Sequence, residues 1–172
     1  MLYILDLDST LVELYGTEPL PGVHGKLDVL RREGHLLAIA TNQAGPSWRV
    51  ETGDDKFPQA TSLGYRFQRV AELIPILERV PWFVSLYDER LSLDPQDYDL
   101  LVQDFKYGGG GLELHVSADP FWRKPRPGML LAACRRYDLP TAQAVFVGDA
   151  ETDAEAAAAA GTAFVFEDEV FN

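Results

Sequence analysis

Short uninterrupted apolar runs alternate along this chain with segments in which apolar residues recur every three or four positions. Runs rich in Leu, Ile, Val and Phe are typical of buried strands, and the recurring pattern is typical of helices that cover a sheet. The predicted strands are 2–5, 36–40, 81–87, 144–147 and 162–166, and the predicted helices lie near 27–33, 59–79, 130–137 and 151–160. This alternation predicts an α/β fold, a doubly wound and mainly parallel Rossmann-like sheet with helices on both faces.

Two segments lack this regular pattern. Residues 44–57 mix Gly, Pro, Ser and Asp without periodicity, and we expect a loop there, close to the functional site. Residues 88–123 contain four consecutive glycines at 108–111 and a brief alternating run at 112–116, so we expect a flexible turn and at most a small cap or flap insertion. The length of 172 residues suits one continuous core, which predicts a single domain over 1–172.

Polar side chains begin where three of the predicted strands end. Asp6 and Asp8 follow the first strand, Thr41 follows the second, and Asp149 follows a later one, with Asp153 four residues further on. In an extended chain residues two apart face the same side, so Asp6 and Asp8 are expected to face one space. The carboxyl ends of parallel strands meet at one edge of a sheet, where such folds bind ligands. The sequence therefore predicts one shared site at this edge.

Charge and cysteine content narrow the class of protein. The formal net charge is −12, which favours solubility and disfavours a dedicated grip on nucleic acid or on an anionic membrane. The single cysteine, Cys134, excludes a disulfide within one chain and a zinc site built from several cysteines. No apolar run approaches the roughly 20 residues that span a bilayer, and no leader-peptide pattern is present. We therefore expect a cytoplasmic protein with no membrane partner.

The four acids at the strand ends point to metal-dependent phosphoryl chemistry. Carboxylates crowded into one crevice repel one another unless a cation lies between them, and Mg²⁺ is favoured because the chain has no cysteine or histidine cluster for zinc. Phosphoryl transfer needs an in-line nucleophile, charge neutralisation and a proton for the leaving group. One of Asp6 and Asp8 can supply the nucleophile and the other the proton. Lys124 and the Thr41 hydroxyl can hold the phosphate oxygens.

Each of these residues also has a purely structural explanation. Two acids after a strand are common in turns and caps, and Asp153 would be favourable in the first turn of any helix. Thr41 alone could be a simple strand-end hydroxyl, and Lys124 alone could be an ordinary surface lysine. The functional prediction therefore rests on the ordered combination.

The ordered set of motifs resembles the phosphatases of the haloacid dehalogenase-like (HAD) superfamily over essentially the whole chain. The matching motifs are Asp6-Leu7-Asp8-Ser9-Thr10, Thr41, Lys124-Pro125, and Gly148-Asp149 with Asp153. The resemblance implies that Asp6 is the nucleophile that becomes an aspartyl-phosphate, and that Asp8 is the general acid that later activates water. It implies that Thr41 and Lys124 bind phosphate. It also implies a Mg²⁺ site made by Asp6, the backbone carbonyl of Asp8 and Asp149, with support from Asp153. Ser9 stands where the family most often has glycine, so a slight change in loop geometry is expected.

Two segments resemble a small-capped branch of the superfamily in particular. Thr41-Asn42-Gln43 and residues 123–129 are similar to histidinol-phosphate and heptose-bisphosphate phosphatases and to the phosphatase domains of polynucleotide end-repair enzymes. By this resemblance Asn42 joins the phosphate-binding set. The zinc loop of heptose-bisphosphate phosphatases would fall before Lys124, where this chain has no cysteine, and this argues against that exact substrate.

The function predicted from these observations is Mg²⁺-dependent hydrolysis of a phosphate monoester, with a small phosphorylated metabolite as the substrate. One alternative is a polynucleotide 3′-phosphatase, which the acidic charge balance disfavours. Another is a catalytically silent relative that binds a phosphorylated ligand or a protein partner, and the retention of every acid argues against it. The sequence leaves the oligomeric state open.

Overall fold

A six-stranded, fully parallel sheet forms the centre of the protein, seen in a computed structural model that describes residues 1–172. Its strands are β1 (Leu2–Leu5), β2 (Leu36–Asn42), β3 (Trp82–Ser85), β4 (Leu114–Ser117), β5 (Ala144–Gly148) and β6 (Ala163–Phe166). The strand order is β4-β3-β2-β1-β5-β6. This arrangement confirms the predicted doubly wound α/β fold.

Seven helices connect the strands and cover both faces of the sheet. They are α1 (Val23–Arg32), α2 (Gly45–Thr52), α3 (Ala60–Leu73), α4 (Pro95–Gly109), α5 (Gly128–Arg136), α6 (Glu151–Ala160) and α7 (Glu167–Phe171). Short 3₁₀ turns occupy 75–79, 120–122 and 141–143. None of these helices is both long and apolar enough to cross a lipid bilayer.

Two separate apolar cores lie on opposite faces of the sheet. Because side chains alternate along a strand, Leu5 of β1 faces the core shared with α1, α3 and α4, whereas Ile4 faces the core shared with α5 and α6. The first core contains the large buried rings Phe67, Trp82 and Phe105. In the second core, α6 packs closely against the sheet because the buried side chains on that face of the helix are alanines. Burial on both sides explains why these strands are nearly continuous apolar runs.

Strand β1 lies at the point where the strand order reverses. It pairs with β2 on one side and with β5 on the other, so that Leu5 lies opposite both Ile39 and Val147. The carboxyl ends of these three strands therefore lie side by side at one edge of the sheet, with β2 extending further, to Asn42. In open α/β sheets this reversal point leaves a crevice for ligands.

Two segments differ from the sequence-based expectation. Residues 44–57, expected to form a loop, contain α2, whose Pro46 lies in its first turn, a position where the missing amide hydrogen costs little. Residues 88–123, for which we expected a flexible turn and at most a small flap, contain α4 and the edge strand β4, which extends the sheet. The flap over the site stays a prediction. The assignment of residues 1–172 to a single domain stays a prediction.

The glycine run at 108–111 has a packing role that the sequence analysis did not anticipate. Gly108 and Gly109 form the end of α4, which crosses α3 at Gly64. A methyl group on Gly108 would lie 2.1 Å from the carbonyl oxygen of Thr61, and one on Gly64 would lie 2.4 Å from the Phe105 carbonyl oxygen. The glycines therefore let the two helix backbones touch, which brings Phe67 and Phe105 into an edge contact with ring centroids 5.1 Å apart.

We predict that Gly108→Ala destabilises the protein, although alanine is the better helix former. The propensity gain is about 1 kcal/mol, whereas forcing a side chain into this backbone contact costs about 1–3 kcal/mol or more. We expect a net loss of about 2 kcal/mol in urea unfolding. Gly111→Ala is the matched control, because nothing lies within 4 Å of a methyl group there. Equal stability of the two variants would show that the helices do not depend on this contact.

Candidate functional site

Asp6 is the first residue beyond β1 and lies in the crevice between β2 and β5. Its amide donates to the carbonyl oxygen of Val147 at 2.9 Å, which continues the ladder between the strands by one residue. Only 7% of its surface is exposed. The fold therefore holds a carboxylate in a largely desolvated place, directly at the strand end.

Three of the predicted acids form one cluster at this edge. Asp6, Asp149 and Asp153 each offer a carboxylate oxygen, and these oxygens lie within 4.8 Å of one another. Asp153 is almost completely buried in the first turn of α6, and its Oδ2 accepts from the Ala150 amide at 3.2 Å. A methyl group on Gly148 would lie 2.4 Å from that same oxygen, so glycine is needed for the close approach of Asp153.

Lys124 places a single ammonium group inside this cluster. Its Nζ lies 2.7 Å from Oδ1 of Asp6 and 2.7 Å from Oδ1 of Asp153. Burial tends to lower the pKa of the ammonium, but Asp6 and Asp153 raise it more strongly, so the net shift is upward. Lys124 is thus held in its charged form between two acids.

One ammonium does not neutralise three carboxylates. Burial, with a further contribution from Asp153, raises the pKa of Asp6 to about 7 despite the opposing effect of Lys124. Burial and the charge of Asp153 also raise the pKa of Asp149. Burial is the larger cause of both upward shifts, and the repulsion from Asp153 adds to it, so the fully ionised cluster is unfavourable without further positive charge. An all-oxygen donor set with excess negative charge suits a hard divalent cation, and Asp6, Asp149 and Asp153 could hold one.

The other two predicted phosphate ligands, Asn42 and Thr41, make different contacts. The Asn42 side chain donates from Nδ2 to the carbonyl oxygen of Lys124 at 3.2 Å and accepts from the Lys124 amide at 3.1 Å. Asn42 therefore fixes the backbone of the lysine. Thr41 is buried, and its hydroxyl oxygen accepts from Gln43 Nε2 at 3.0 Å. The direct contacts of both residues with phosphate stay predictions.

Asp8 lies outside the acidic cluster and is bound by donors from three directions. Its carboxylate accepts from the Tyr15 amide at 2.9 Å and from Gln43 Nε2 at 2.8 Å, and it forms a close ion pair with Arg66. Arg66 also donates from Nε to the carbonyl oxygen of Gly16 at 2.8 Å. A metal role for Asp8 therefore depends on its backbone, as the family resemblance implied.

The loop after Asp8 turns at Ser9, the residue that stands where the family that this chain resembles most often has glycine. Ser9 adopts a φ of 60°, in the left-handed region where glycine is the least strained residue. This conformation gives a physical reason for glycine at this position in the family. Ser9 keeps the turn at some conformational cost.

A cavity of about 1100 Å³ is lined by Arg66 and Asn42, the residues that contact Asp8 and Lys124, but not by the acidic cluster itself. Five cationic side chains line it against two acidic ones, although the whole chain has a net charge of −12. The aromatic rings of Trp48 and Phe57 also line it, stacked with centroids 5.9 Å apart. The cationic side chains are Arg49, Lys56, Arg66, Arg90 and Arg123. The cavity is therefore suited to an anionic organic group next to the acidic cluster.

Sequence analysis missed the roles of Arg66 and Asp88 in this site. Arg66 lies on α3, far from any motif, and a lone arginine on an amphipathic helix carries no local signal. Asp88 follows β3 as Asp6 follows β1, so the appearance of an acid after a strand was an available signal. It was missed because residues 88–123 were interpreted as one irregular insertion.

Comparisons with known proteins agree with this geometry. A family model described as HAD-hydrolase-like matches residues 121–166, which include Lys124 and the acids after β5. The chain is 28% identical over 144 residues to D-glycero-D-manno-heptose-1,7-bisphosphate 7-phosphatase of Thermosynechococcus vestitus, covering 83% of this chain and 62% of that protein. It is 29% identical over 159 residues to the corresponding Haemophilus influenzae protein, named for the β anomer, covering 88% and 72% respectively. The chain thus spans less than two thirds of the length of the first of these relatives.

Solved structures show the same fold at lower sequence identity. D,D-heptose 1,7-bisphosphate phosphatase from B. bronchiseptica, complexed with magnesium and phosphate, superposes with a TM-score of 0.55 at 22% identity, covering 95% of this chain and 78% of that one. A HAD-like phosphatase from Mesorhizobium loti gives a TM-score of 0.53 at 21% identity, with 93% and 68% covered. At these identities the structural likeness supports the fold alone.

The crowded acids predict a pH dependence of stability in the metal-free protein. The raised pKa of Asp6 means that the folded state binds a proton near pH 7, whereas the unfolded chain does so only near pH 4. Stability should therefore increase by about 2 kcal/mol as pH falls from 8 to 5. Urea unfolding in EDTA at several pH values measures this. Asp6→Asn should remove most of the increase, and a wild-type-like slope in that variant would assign the effect to other groups.

Proposed function

We propose that this chain, a member of the haloacid dehalogenase-like superfamily, is a Mg²⁺-dependent phosphatase that hydrolyses a phosphate monoester of a small metabolite. The observation that carries the proposal is the position of Lys124 Nζ, 2.7 Å from both Asp6 and Asp153, within the acidic cluster. A purely structural ion pair would need only one carboxylate for the Lys124 ammonium. Here three carboxylates lie close to that single ammonium, near a cavity lined by cationic side chains. The names of the two heptose-bisphosphate phosphatase relatives support the same activity.

Asp6 is the nucleophile in the proposed mechanism. One of its oxygens attacks phosphorus, the bond between phosphorus and the leaving oxygen breaks, and an aspartyl-phosphate forms on Asp6. A water molecule then attacks the same phosphorus, the bond to Asp6 breaks, and orthophosphate leaves. The nearly complete burial of Asp6 serves this step, because a carboxylate stripped of water is a better nucleophile than a hydrated one.

Asp8 handles the proton in both half-reactions. It gives a proton to the departing alkoxide and takes one from the attacking water in the second step. This role requires one oxygen of Asp8 to be released from Arg66, Gln43 or the Tyr15 amide, which occupy the carboxylate in the structure. Arg66 and Gln43, which contact Asp8, line the cavity where the leaving group would lie.

The remaining residues of the site bind charge. Asp6, Asp149 and Asp153 would hold Mg²⁺, together with the backbone of Asp8. When bound, the ion would neutralise the carboxylates and the phosphate oxygens that gather around them. The Lys124 ammonium would form an ion pair with the phosphate in addition to those with the acids. Asn42 keeps the lysine backbone in place.

The substrate is proposed from the cavity and from the names of the relatives. The cationic lining suits a metabolite with anionic character, and sugar phosphates, including heptose 1,7-bisphosphate, are the first compounds to screen. The chain has no cysteines before Lys124 to form a zinc loop, so we expect its substrate preference to differ from that of the relatives. A panel of sugar phosphates, histidinol phosphate, nucleotides and a 3′-phosphorylated oligonucleotide would identify the class.

We predict that Asp6→Asn abolishes phosphate release from p-nitrophenyl phosphate in the presence of Mg²⁺. An amide cannot form the covalent intermediate, so the loss should be about 10³-fold or more. Asp104→Asn on α4, an exposed acid far from the cluster, is the matched control and should keep wild-type activity. Residual wild-type turnover in Asp6→Asn would assign the nucleophile elsewhere. Absence of turnover by the wild type over the whole panel would favour a binding protein.

We predict that Asp149→Asn raises the Mg²⁺ concentration needed for half-maximal activity by about 10-fold to 100-fold, because one charged ligand is lost. A Mg²⁺ titration of p-nitrophenyl phosphate hydrolysis measures the change. The control is Glu155→Gln, which removes one exposed acid from α6. It should leave the Mg²⁺ requirement unchanged. A Mg²⁺ requirement that does not move in Asp149→Asn would remove this residue from the metal site.

A further inference from the structure

Asp88 is a buried carboxylate that the proposed mechanism does not use. It follows β3 at the carboxyl edge of the sheet, and only 1% of its side chain is exposed. A buried carboxylate is costly unless charged donors compensate it. The charged and polar partners of Asp88 therefore compensate its burial, and Asp88 in turn holds them in place.

The partners of Asp88 come from three different parts of the chain. Arg90 donates to its Oδ1 from the backbone amide at 3.0 Å and from Nε at 2.9 Å, and donates to Oδ2 at 2.5 Å. Trp48 of α2 donates to Oδ2 from Nε1 at 3.1 Å. The Arg123 guanidinium forms an ion pair with Oδ2 at 3.4 Å. One carboxylate thus joins α2, the end of β3 and the segment that leads into Lys124.

All three partners, and Asp88 itself, line the cavity described above. The Arg90 guanidinium also lies over the Trp48 ring, 5.0 Å from its centroid. Arg123 directly precedes Lys124, and its remaining contacts are a 3.1 Å bond to the Tyr87 carbonyl oxygen and a 3.4 Å contact with the exposed Glu89. The groups that a leaving group would meet are therefore oriented by a carboxylate behind them.

We propose that Asp88 is a positioning residue, whose buried carboxylate orients Arg123, Arg90 and Trp48 for binding of the substrate's leaving group. This inference rests on the proposed phosphatase function. Asp88 itself contacts neither Asp6 nor Lys124, so it acts on binding and leaves the chemical step alone. A long, flexible arginine loses side-chain conformational entropy when it becomes ordered on substrate binding. Because Asp88 orders the arginines beforehand, that cost to the binding free energy is reduced.

The principal test compares Asp88→Asn with Asp104→Asn, the same acid-to-amide change at an exposed position on α4. Asp88→Asn should raise KM for p-nitrophenyl phosphate about tenfold and leave kcat within about twofold, because the groups at phosphorus are unchanged. Asp104→Asn should leave both constants near the wild-type values. A fall in kcat at unchanged KM, accompanied by a lower Tm, would mean that Asp88 is only structural and would overturn the proposal.

A double-mutant cycle tests whether Asp88 acts through Arg123. Arg123→Gln should raise KM by itself, and adding Asp88→Asn to it should raise KM by less than it does in the wild type. Fully additive effects of the two substitutions on KM would show that Asp88 does not act through Arg123. Should Asp88→Asn not fold, Arg90→Gln removes the closest guanidinium contacts from a side chain that is 65% exposed, and KM should then rise about threefold. An unchanged KM in Arg90→Gln would count against the proposal.

A binding measurement separates this inference from the proposed function. Phenylphosphonate has no ester bond to hydrolyse, and its affinity in Mg²⁺ buffer can be measured by calorimetry whether or not the protein is an enzyme. Asp88→Asn should bind it about tenfold more weakly than the wild type, and Asp104→Asn should bind it equally well. Weakened binding in a protein without turnover would support the role of Asp88 and refute the phosphatase. Equal affinity in all three proteins would refute the role of Asp88.

Discussion

The contact between the Lys124 ammonium and the carboxylates of Asp6 and Asp153 is the interaction around which the site is organised. It joins residues that are 118 and 29 positions apart in the sequence. All three side chains are nearly buried, so the attraction between them acts in a medium of low dielectric constant, where the loss of any one would leave an uncompensated charge. The same contact leaves Asp149 and part of the negative charge unmatched. That deficit makes the cluster receptive to a further cation and, through it, to a phosphate group.

The parallel sheet produces this convergence without any special sequence between the motifs. Strand β1 lies between β2 and β5, in register with both, so that the carboxyl ends of the three strands reach the same edge. These central strands are buried on both faces, and Asp6, Thr41 and Asp149 stand at or just beyond their carboxyl ends. Residues from the helices reach the site in two ways, at the start of α6 with Asp153 and where α3 passes Asp8 with Arg66.

This difference between strand ends and helices decided what could be predicted from the sequence. Five of the six strands, the α/β class and the grouping of Asp6, Asp149, Asp153 and Lys124 followed from apolar runs that end in polar residues and from the family motifs, whereas β4 was not predicted. The close packing of Gly108 on α3 did not follow, because a glycine run looks the same in a turn and in a helix contact. The attachment of Asp8 to Arg66 is a contact between residues 58 positions apart with no pattern of its own. Contacts of this kind depend on how the helices are placed, which local sequence does not encode.

The distribution of charge around Asp8 resolves an apparent conflict in the composition. A protein with a net charge of −12 repels a phosphorylated metabolite at long range, and the acidic cluster alone would repel it at short range. The cavity near Asp8 is lined by five cationic side chains, and the buried Asp88 holds two of them, Arg90 and Arg123. In the proposed mechanism an anionic leaving group would meet this local positive charge, while the phosphoryl group would lie toward Lys124. Such a separation of charge would let an acidic chain bind an acidic ligand, with Asp8, the proposed proton-transfer residue, between the two regions.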